Sequence, residues 1–146
     1  MGKPFFRAGV VAVVRRASGE VMAFERADVT GEWQLPQGGI DAGETVLEAA
    51  WRELHEETGL TADDVRLVAE HPHWTVYAWP EGVNGGRRSD RLGQAHRWFF
   101  FEPIRENVEP TPDDQEFRCW KWMDVATLIA GVVEFRRVPY QQVLGG

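Results

Sequence analysis

The amino-acid sequence predicts a mixed α/β sandwich, on three observations. Residues 8–14 form a continuous apolar, mostly β-branched run, which is typical of a strand buried on both faces. Residues 46–58 carry the start and stop signals of one central helix. Aromatic-rich, strand-like segments follow that helix, and two short helical segments end the chain. Strands and helices in this order predict a sheet that helices cover.

Length and composition narrow the class of protein. The chain has 146 residues, which is the usual size of one domain, so we expect a single domain over residues 1–146. Its only cysteine, Cys119, excludes an internal disulfide and a zinc site built from thiolates. The sequence contains no apolar run long enough to span a bilayer and no signal peptide. We therefore expect a cytoplasmic protein that does not bind membranes.

The elements before the central helix are predicted from apolar runs and glycines. Residues 8–14 and 21–26 read as two strands, and Gly19 lies in the turn between them, so a hairpin is expected. Residues 31–43 contain four glycines and are predicted to form a loop.

The central helix has clear boundaries. Thr45 and Glu48 form a capping box, in which each side chain bonds to the backbone amide of the other residue. Gly59 provides the left-handed residue that ends a helix. The helix is therefore predicted over residues 46–58.

The second half of the chain alternates strands with a loop and helices. Aromatic and β-branched residues predict strands over residues 66–70, 74–79, 96–102 and 117–122. Residues 81–93 are rich in glycine and predict a mobile basic loop that carries Arg87, Arg88 and Arg91. Asp124 can cap a short helix to Ala130 that Gly131 ends, and Pro139 suits the first turn of a last helix.

Three carboxylates share one side of the central helix. Glu53, Glu56 and Glu57 are spaced i, i+3 and i+4, so they lie within an arc of roughly 100°. The helical period places Glu57 at the edge of the apolar stripe and Glu53 beside it. Crowded carboxylates near a core take up protons unless a cation neutralises them, and Mg²⁺ prefers oxygen ligands. The alternative is an acidic helix face that is simply solvated.

The net charge of −7 supports the metal interpretation, because it disfavours binding of a phosphate chain by protein cations alone. Gly38 and Gly39, just before the helix, allow the backbone to approach a ligand closely. Such a pair of glycines is also common in ordinary tight turns. These features favour a metal site without naming a reaction.

At these residues the sequence resembles the Nudix hydrolases. Their motif, G-x₅-E-x₇-R-E-U-x-E-E-x-G-U with U aliphatic, is met at every fixed position: Gly38, Glu44, Arg52, Glu53, Leu54, Glu56, Glu57, Gly59 and Leu60. The resemblance implies an α/β/α sandwich around a mixed β-sheet. It also implies metal-dependent hydrolysis of a nucleoside diphosphate linked to another group.

The resemblance assigns roles to the acidic residues. It implies that Mg²⁺ or Mn²⁺, as two or more ions, is bound by Gly38, Glu53, Glu56, Glu57 and Glu116. Glu116 is also readable as an exposed loop acid. Either Glu53 or Glu57 would take the proton of the attacking water, and we prefer Glu57. Arg52 would orient one of the carboxylates.

Within the family, the chain is similar to the enzymes that act on RNA 5′ ends and on dinucleoside polyphosphates. The run from Trp33 to Ile40, which reads WQLPQGGI, is the strongest part of this similarity. It suggests substrate contacts by Arg7, Arg26, Gln37, Tyr77, Gln94, Arg97 and Phe135. Arginines of this kind are also ordinary surface residues, and Tyr77 and Phe135 also suit core packing.

Three functions compete at this point. The first is hydrolysis of 5′-triphosphorylated RNA or of dinucleoside polyphosphates, with a nucleotide or RNA 5′ end as the binding partner. The second is a housecleaning pyrophosphatase for nucleoside triphosphates or nucleotide sugars. The third is a non-catalytic nucleotide sensor, which the complete set of motif carboxylates disfavours. Protein partners are not predicted.

Overall fold

A computed structural model describes residues 5–79 and 91–145 of the chain. Over these residues the strands are β1 (Phe5–Val14), β2 (Val21–Arg26), β3 (Trp33–Gln34), β4 (Gln37–Gly39), β5 (Val65–Glu70), β6 (Thr75–Ala78), β7 (Arg91–Pro103) and β8 (Phe117–Met123). The helices are α1 (Val46–Thr58), α2 (Val125–Gly131) and α3 (Arg137–Leu144), with a 3₁₀ turn at Glu134–Arg136. None of the described helices is long and apolar enough to cross a membrane.

The strands form two sheets. The larger has the order β4-β1-β7-β5, and β6 also pairs with β7. Only β1 and β7 are parallel, so this sheet is mixed. The smaller sheet has the order β3-β2-β8 and is antiparallel. The predicted α/β fold is therefore confirmed.

The side chains of a strand point alternately to the two faces of its sheet, and this divides the core into two clusters. In β1, Val10 and Val14 pack on the side of α1, whereas Val11 and Val13 pack on the side of α2 and α3. Because successive side chains of a strand point to opposite faces, a strand that is apolar at every position is covered on both sides. The sheets are therefore a central layer between helices, as the apolar run of β1 predicts.

The predicted hairpin of β1 and β2 is wrong. The two strands share only one bridge, between Arg15 and Val21, and then enter different sheets. Each strand has two other neighbours: β4 and β7 for β1, and β3 and β8 for β2. Neither strand therefore has a free edge for the other, which a pattern of apolar residues does not reveal.

The predicted loop over residues 31–43 contains two short strands, β3 and β4. Strand β4 pairs with β1 through backbone groups, with Gly39 opposite Gly9 and Gly38 opposite Val10. The Tyr140 hydroxyl of α3 accepts a bond of 2.9 Å from the Leu35 amide, between these strands. This segment is therefore held in place from two sides.

The central helix α1 follows the prediction closely. Thr45 and Glu48 form the capping box, with bonds of 3.1 Å and 2.8 Å, and Gly59 has a φ of 74°. The predicted cap of Asp124 on α2 is also present, as is Pro139 in the first turn of α3. Of the predicted basic loop, residues 91–93 belong to β7, whereas Arg87 and Arg88 lie outside the described residues.

Candidate active site

A cavity of about 330 Å³ lies where β4, α1 and the start of β1 and β7 meet. Most of the predicted site residues line it: Arg7, Arg26, Gln37, Gly38, Glu53, Glu57, Gln94 and Glu116. The lining also includes Gly39, the second of the paired glycines, and three residues for which the sequence predicts no site role: Gln34, Trp79 and Arg136.

Glu57 is the most deeply placed acid of the cavity. Only 7% of its surface is exposed, and its carboxylate accepts a bond of 3.3 Å from the Gln37 amide. Burial raises the pKa of Glu57 to about 9, and the nearby carboxylates of Glu53 and Glu116 add to this increase. Without a cation, the protonated form of Glu57 is therefore favoured at neutral pH.

The paired glycines of β4 allow two charged side chains to enter from opposite faces. A side chain at Gly38 would overlap the Glu53 carboxylate, and one at Gly39 would overlap the Arg7 guanidinium. Successive residues of a strand point to opposite faces, so one dipeptide makes room for an acid on one side and a cation on the other. The sequence predicted close approach of a ligand at these glycines; the structure shows close approach of the chain's own site residues.

Arg52 lies outside the lining of the cavity and bonds to one of its acids, Glu53, and to two acids beside it, Glu44 and Glu56. Its guanidinium donates to Glu44 at 2.6 Å and 2.9 Å, to Glu53 at 2.9 Å, to Glu56 at 3.1 Å and to the Gly39 carbonyl at 2.9 Å. The Arg52 guanidinium keeps the pKa of Glu44 below its usual value. Arg52 therefore orients Glu53 and links α1 to β4.

Glu116 approaches the cavity from a tight turn before β8. The Asp113 carboxylate accepts bonds from the amides of Gln115, Glu116 and Phe117, at 3.1 Å, 2.9 Å and 3.1 Å. Asp114 has a φ of 63°, in the left-handed region. This turn, rather than a packed helix or strand, places Glu116 among the cavity residues.

The oxygen donors of the cavity fit a divalent cation. Glu53, Glu57 and Glu116 crowd together, and carboxylate oxygens are preferred ligands of Mg²⁺ and Mn²⁺. Within residues 5–79 and 91–145, no three acidic, histidine or cysteine side chains already stand in a metal-binding arrangement.

The structure does not bring every predicted residue to the cavity. Glu56 is 56% exposed in its side chain and bonds to Arg52. Arg97 pairs with Glu70 and lies over the Trp74 ring, because an odd spacing from Gln94 along β7 points it to the other face. Metal binding by Glu56 and substrate binding by Arg97 stay predictions.

Tyr77 and Phe135 also lie outside the lining of the cavity. Tyr77 is 7% exposed, and its ring has edge contacts with His96 and Phe135, at 5.8 Å and 5.5 Å between ring centres. The Tyr77 ring therefore does not offer an open face for stacking on a base.

Arg136 is the charged residue of the cavity that sequence reasoning missed. It is half-buried and donates to Gln34 at 2.7 Å and to the Tyr77 hydroxyl at 3.2 Å. Its neighbour Arg137 is exposed and reaches only backbone carbonyls. The two arginines are adjacent and identical in type, so no sequence signal separates them.

Comparisons with known proteins identify the family of the chain. Residues 5–143 match the model of the NUDIX domain. The chain is 38% identical to an RNA pyrophosphohydrolase of Cereibacter sphaeroides over 143 residues, which cover 95% of this chain and 88% of the relative. It is 39% identical to an RNA pyrophosphohydrolase of Rhodospirillum rubrum over 142 residues, covering 95% and 85%.

Solved structures share the fold at lower identity. The Escherichia coli dihydroneopterin triphosphate pyrophosphohydrolase superposes with a TM-score of 0.77 at 20% identity, covering 97% of this chain and 98% of that one. The Caenorhabditis elegans Ap4A hydrolase superposes with a TM-score of 0.70 at 16% identity, covering 93% of each chain. The family predicted from the sequence is confirmed: this chain belongs to the Nudix family.

Proposed function

We propose that this chain is a Nudix pyrophosphohydrolase that removes pyrophosphate from 5′-triphosphorylated RNA. The observation that carries the choice of substrate is the similarity to RNA pyrophosphohydrolases, at 37–39% identity over nearly the whole chain. An RNA substrate is consistent with the predicted cytoplasmic location, which stays a prediction.

The cavity supports cleavage of a phosphoanhydride bond. Its acids, Glu53, Glu57 and Glu116, are suited to hold one or more divalent cations, with the Gly38 carbonyl as a further donor. Such a cation, when bound, neutralises charge on the polyphosphate and activates water for attack on phosphorus. Arg7, which forms no ion pair within the described part of the chain, is available to bind a phosphate group.

The remaining roles, orientation of an acid and acceptance of a proton, fall to Arg52 and Glu57. Arg52 keeps Glu53 in a fixed orientation through the bond of 2.9 Å, so that this carboxylate faces the cavity. Glu57, the most buried acid, is the group we assign to accept the proton of the attacking water, once a bound cation has displaced the proton that Glu57 carries in the metal-free protein. Water then adds to phosphorus, the bridging P–O bond breaks, and pyrophosphate leaves with its electrons.

Dinucleoside polyphosphates are the second candidate substrate. They present the same polyphosphate with a nucleoside at the far end, so the same acids and arginines would bind them. The likeness to Ap4A hydrolase is at 16% identity and concerns the fold alone, which is why we place this substrate second.

A substrate panel tests the proposal. We expect the highest kcat/KM for triphosphorylated RNA, a lower value for diadenosine tetraphosphate and the lowest for ATP, because ATP lacks the additional nucleotide. Activity should vanish with a chelator and return with Mg²⁺ or Mn²⁺. Reaction in ¹⁸O-water should label a phosphate product. Equal or faster turnover of ATP or a nucleotide sugar would contradict the choice of substrate and leave the hydrolytic chemistry standing.

A further inference from the structure

Arg136 is a cavity cation whose hydrogen-bond acceptors within the described residues are neutral groups. Its two bonded acceptors are the Gln34 amide oxygen and the Tyr77 hydroxyl. Arg26, in the same cavity, bonds instead to Asp28 and Glu32. Among residues 5–79 and 91–145, Arg136 forms no ion pair; the nearby Asp28 carboxylate, on which its charge acts, is paired with Arg26 instead. A half-buried guanidinium in this condition favours an anion beside it.

The Tyr77 hydroxyl links Arg136 to a second cavity residue. It accepts from Arg136 Nε and donates its one proton to Gln94 Oε1. That bond uses the oxygen end of the Gln94 amide, so Tyr77 does not engage the NH₂ end, and Gln94 lines the cavity. Bonds in such a chain strengthen one another. The buried hydroxyl thus orients two donors, one charged and one neutral.

We propose that Arg136 is a phosphate-binding residue of this cavity, and that Tyr77 is a positioning residue that orients Arg136 and Gln94 towards the phosphate chain. The assignment rests on the proposed function and deepens it, because it names the groups that bind the polyphosphate beside the acids. It also gives Tyr77 a role that differs from the stacking role suggested by its aromatic ring. The ligand chemistry is a phosphate oxygen, which accepts both donors.

A purely structural role for Arg136 makes a different prediction. Its bonds join the turn at Glu134–Arg136 to β3 and β6, so a structural residue would change stability and leave phosphate affinity unaltered. Two readouts separate the roles: the split between KM and kcat, and the affinity for pyrophosphate alone.

The test compares Arg136→Lys and Tyr77→Phe with Arg137→Lys as the matched control, on the full chain with Mg²⁺ present. Lysine keeps the positive charge at position 136 but lacks the planar guanidinium that can donate two parallel hydrogen bonds. Phenylalanine at position 77 removes the hydroxyl that links Arg136 to Gln94. We expect KM for triphosphorylated RNA, and Kd for pyrophosphate by calorimetry, to rise about tenfold in Arg136→Lys and severalfold in Tyr77→Phe, as for a lost charge-assisted bond. The value of kcat should change less than about threefold, as expected for loss of ground-state binding. The control should match wild type.

The double variant adds a second criterion. If Tyr77 acts partly through Arg136, the combined increase in Kd should be smaller than the product of the single increases. Unchanged Kd for pyrophosphate in Arg136→Lys overturns the proposal, whatever happens to the melting temperature. The pyrophosphate measurement does not depend on RNA as the substrate. Should wild type fail to hydrolyse triphosphorylated RNA, the proposed function fails while the Kd comparison still decides the role of Arg136.

Discussion

Two recesses lie at opposite ends of the central layer, and they differ in how their charges are balanced. The larger, of about 670 Å³, lies beyond the end of β1 and β7. Its arginines are matched: Arg66 pairs with Glu102 at 2.7 Å, and Arg16 pairs with Glu20. The active-site cavity, of about 330 Å³, lies near the start of the same strands and contains charges without partners.

The groups of this cavity that lack an ion-pair partner within the described residues are both acidic and basic. Glu57 forms no ion pair within the described residues, and its pKa is raised to about 9 by burial, together with Glu53 and Glu116. Arg7 likewise has no carboxylate partner in that part of the chain. A buried acid that retains its proton and a cation without a carboxylate partner, side by side in one cavity, are typical of a functional site. Unpaired ionisable groups, rather than cavity size, therefore mark the site in this molecule.

The largest expected effect comes from removing one unmatched acid. Glu57→Gln should lower kcat for the preferred substrate by at least about 10²-fold, because it removes both a donor for the cation and the expected base. The matched change Glu102→Gln, in the larger recess, should leave kcat within about twofold, since exposed ion pairs contribute little. Steady-state kinetics with Mg²⁺ measure both, and circular dichroism checks the fold.

A Glu57→Gln enzyme with turnover near wild type would remove Glu57 from the reaction. A loss of equal size in Glu102→Gln would show instead that the two recesses are not separate in function.

The second effect concerns stability and pH. The pKa of Glu57 is about 9 in the folded chain, against a reference value of 4.5. The folded state therefore retains a proton that the unfolded state has lost, and stability must decrease as pH rises towards 9. Burial lowers the pKa of His96 to about 3 from 6.5, so His96 adds an opposite slope, but only below pH 6.5. Above pH 6.5 the slope therefore comes from the buried acids of the cavity, mainly Glu57, since burial raises the pKa of Glu53 as well.

Urea unfolding of the metal-free protein above pH 6.5 measures the effect. We expect wild type to lose on the order of a few kcal/mol of unfolding free energy between pH 6.5 and 9. Glu57→Gln should flatten this dependence, whereas Glu102→Gln should keep it. Saturating Mg²⁺ should also reduce the slope, because the cation replaces the proton. A wild-type curve that rises with pH would contradict the raised pKa.

What the sequence predicts well about this molecule is local. The boundaries of α1 follow from Thr45, Glu48 and Gly59, whose effects act within one helical turn. The same helical period correctly places Glu53 and Glu57 against the cavity. These predictions succeed because each depends on neighbours a few residues away along the chain.

What the sequence predicts poorly depends on pairing between distant segments. The partners of β1 are β4 and β7, not β2, and no local signal specifies this. The register and faces of β7 decide that Gln94 reaches the cavity while Arg97 does not. Arg136 is separated from Arg137 only by its contacts with Gln34 and Tyr77, which lie about 100 and 60 positions earlier. Charge that is unmatched in space is likewise invisible in a linear sequence.

The smallest expected effect concerns Glu56, the motif acid outside the cavity. Its side chain is 56% exposed and bonds to Arg52 at 3.1 Å. Without the Glu56 carboxylate, Arg52 still has its hydrogen bonds to Glu44, to Glu53 and to the Gly39 carbonyl. The negative charge of Glu56 also contributes to raising the pKa of Glu53. Loss of a weak exposed pair and relief of like-charge repulsion oppose each other. Glu56→Gln should therefore change the unfolding free energy of the metal-free protein by less than about 0.5 kcal/mol, in the direction of greater stability if at all.

Thermal and urea unfolding of Glu56→Gln, with and without Mg²⁺, compare an acid that has an ion-pair partner with the unpaired acid of the cavity. Glu106→Gln, at an exposed acid of the larger recess, is the control. If Glu56 turns from Arg52 to bind the cation, Glu56→Gln will keep its metal-free stability but lose most of the stabilisation that Mg²⁺ gives wild type, because only the metal-bound form uses that carboxylate. If Mg²⁺ stabilises Glu56→Gln as much as wild type, Glu56 is a partner of Arg52 alone. A large loss of metal-free stability would show that the acids of this helix face stabilise the fold through ion pairs with Arg52.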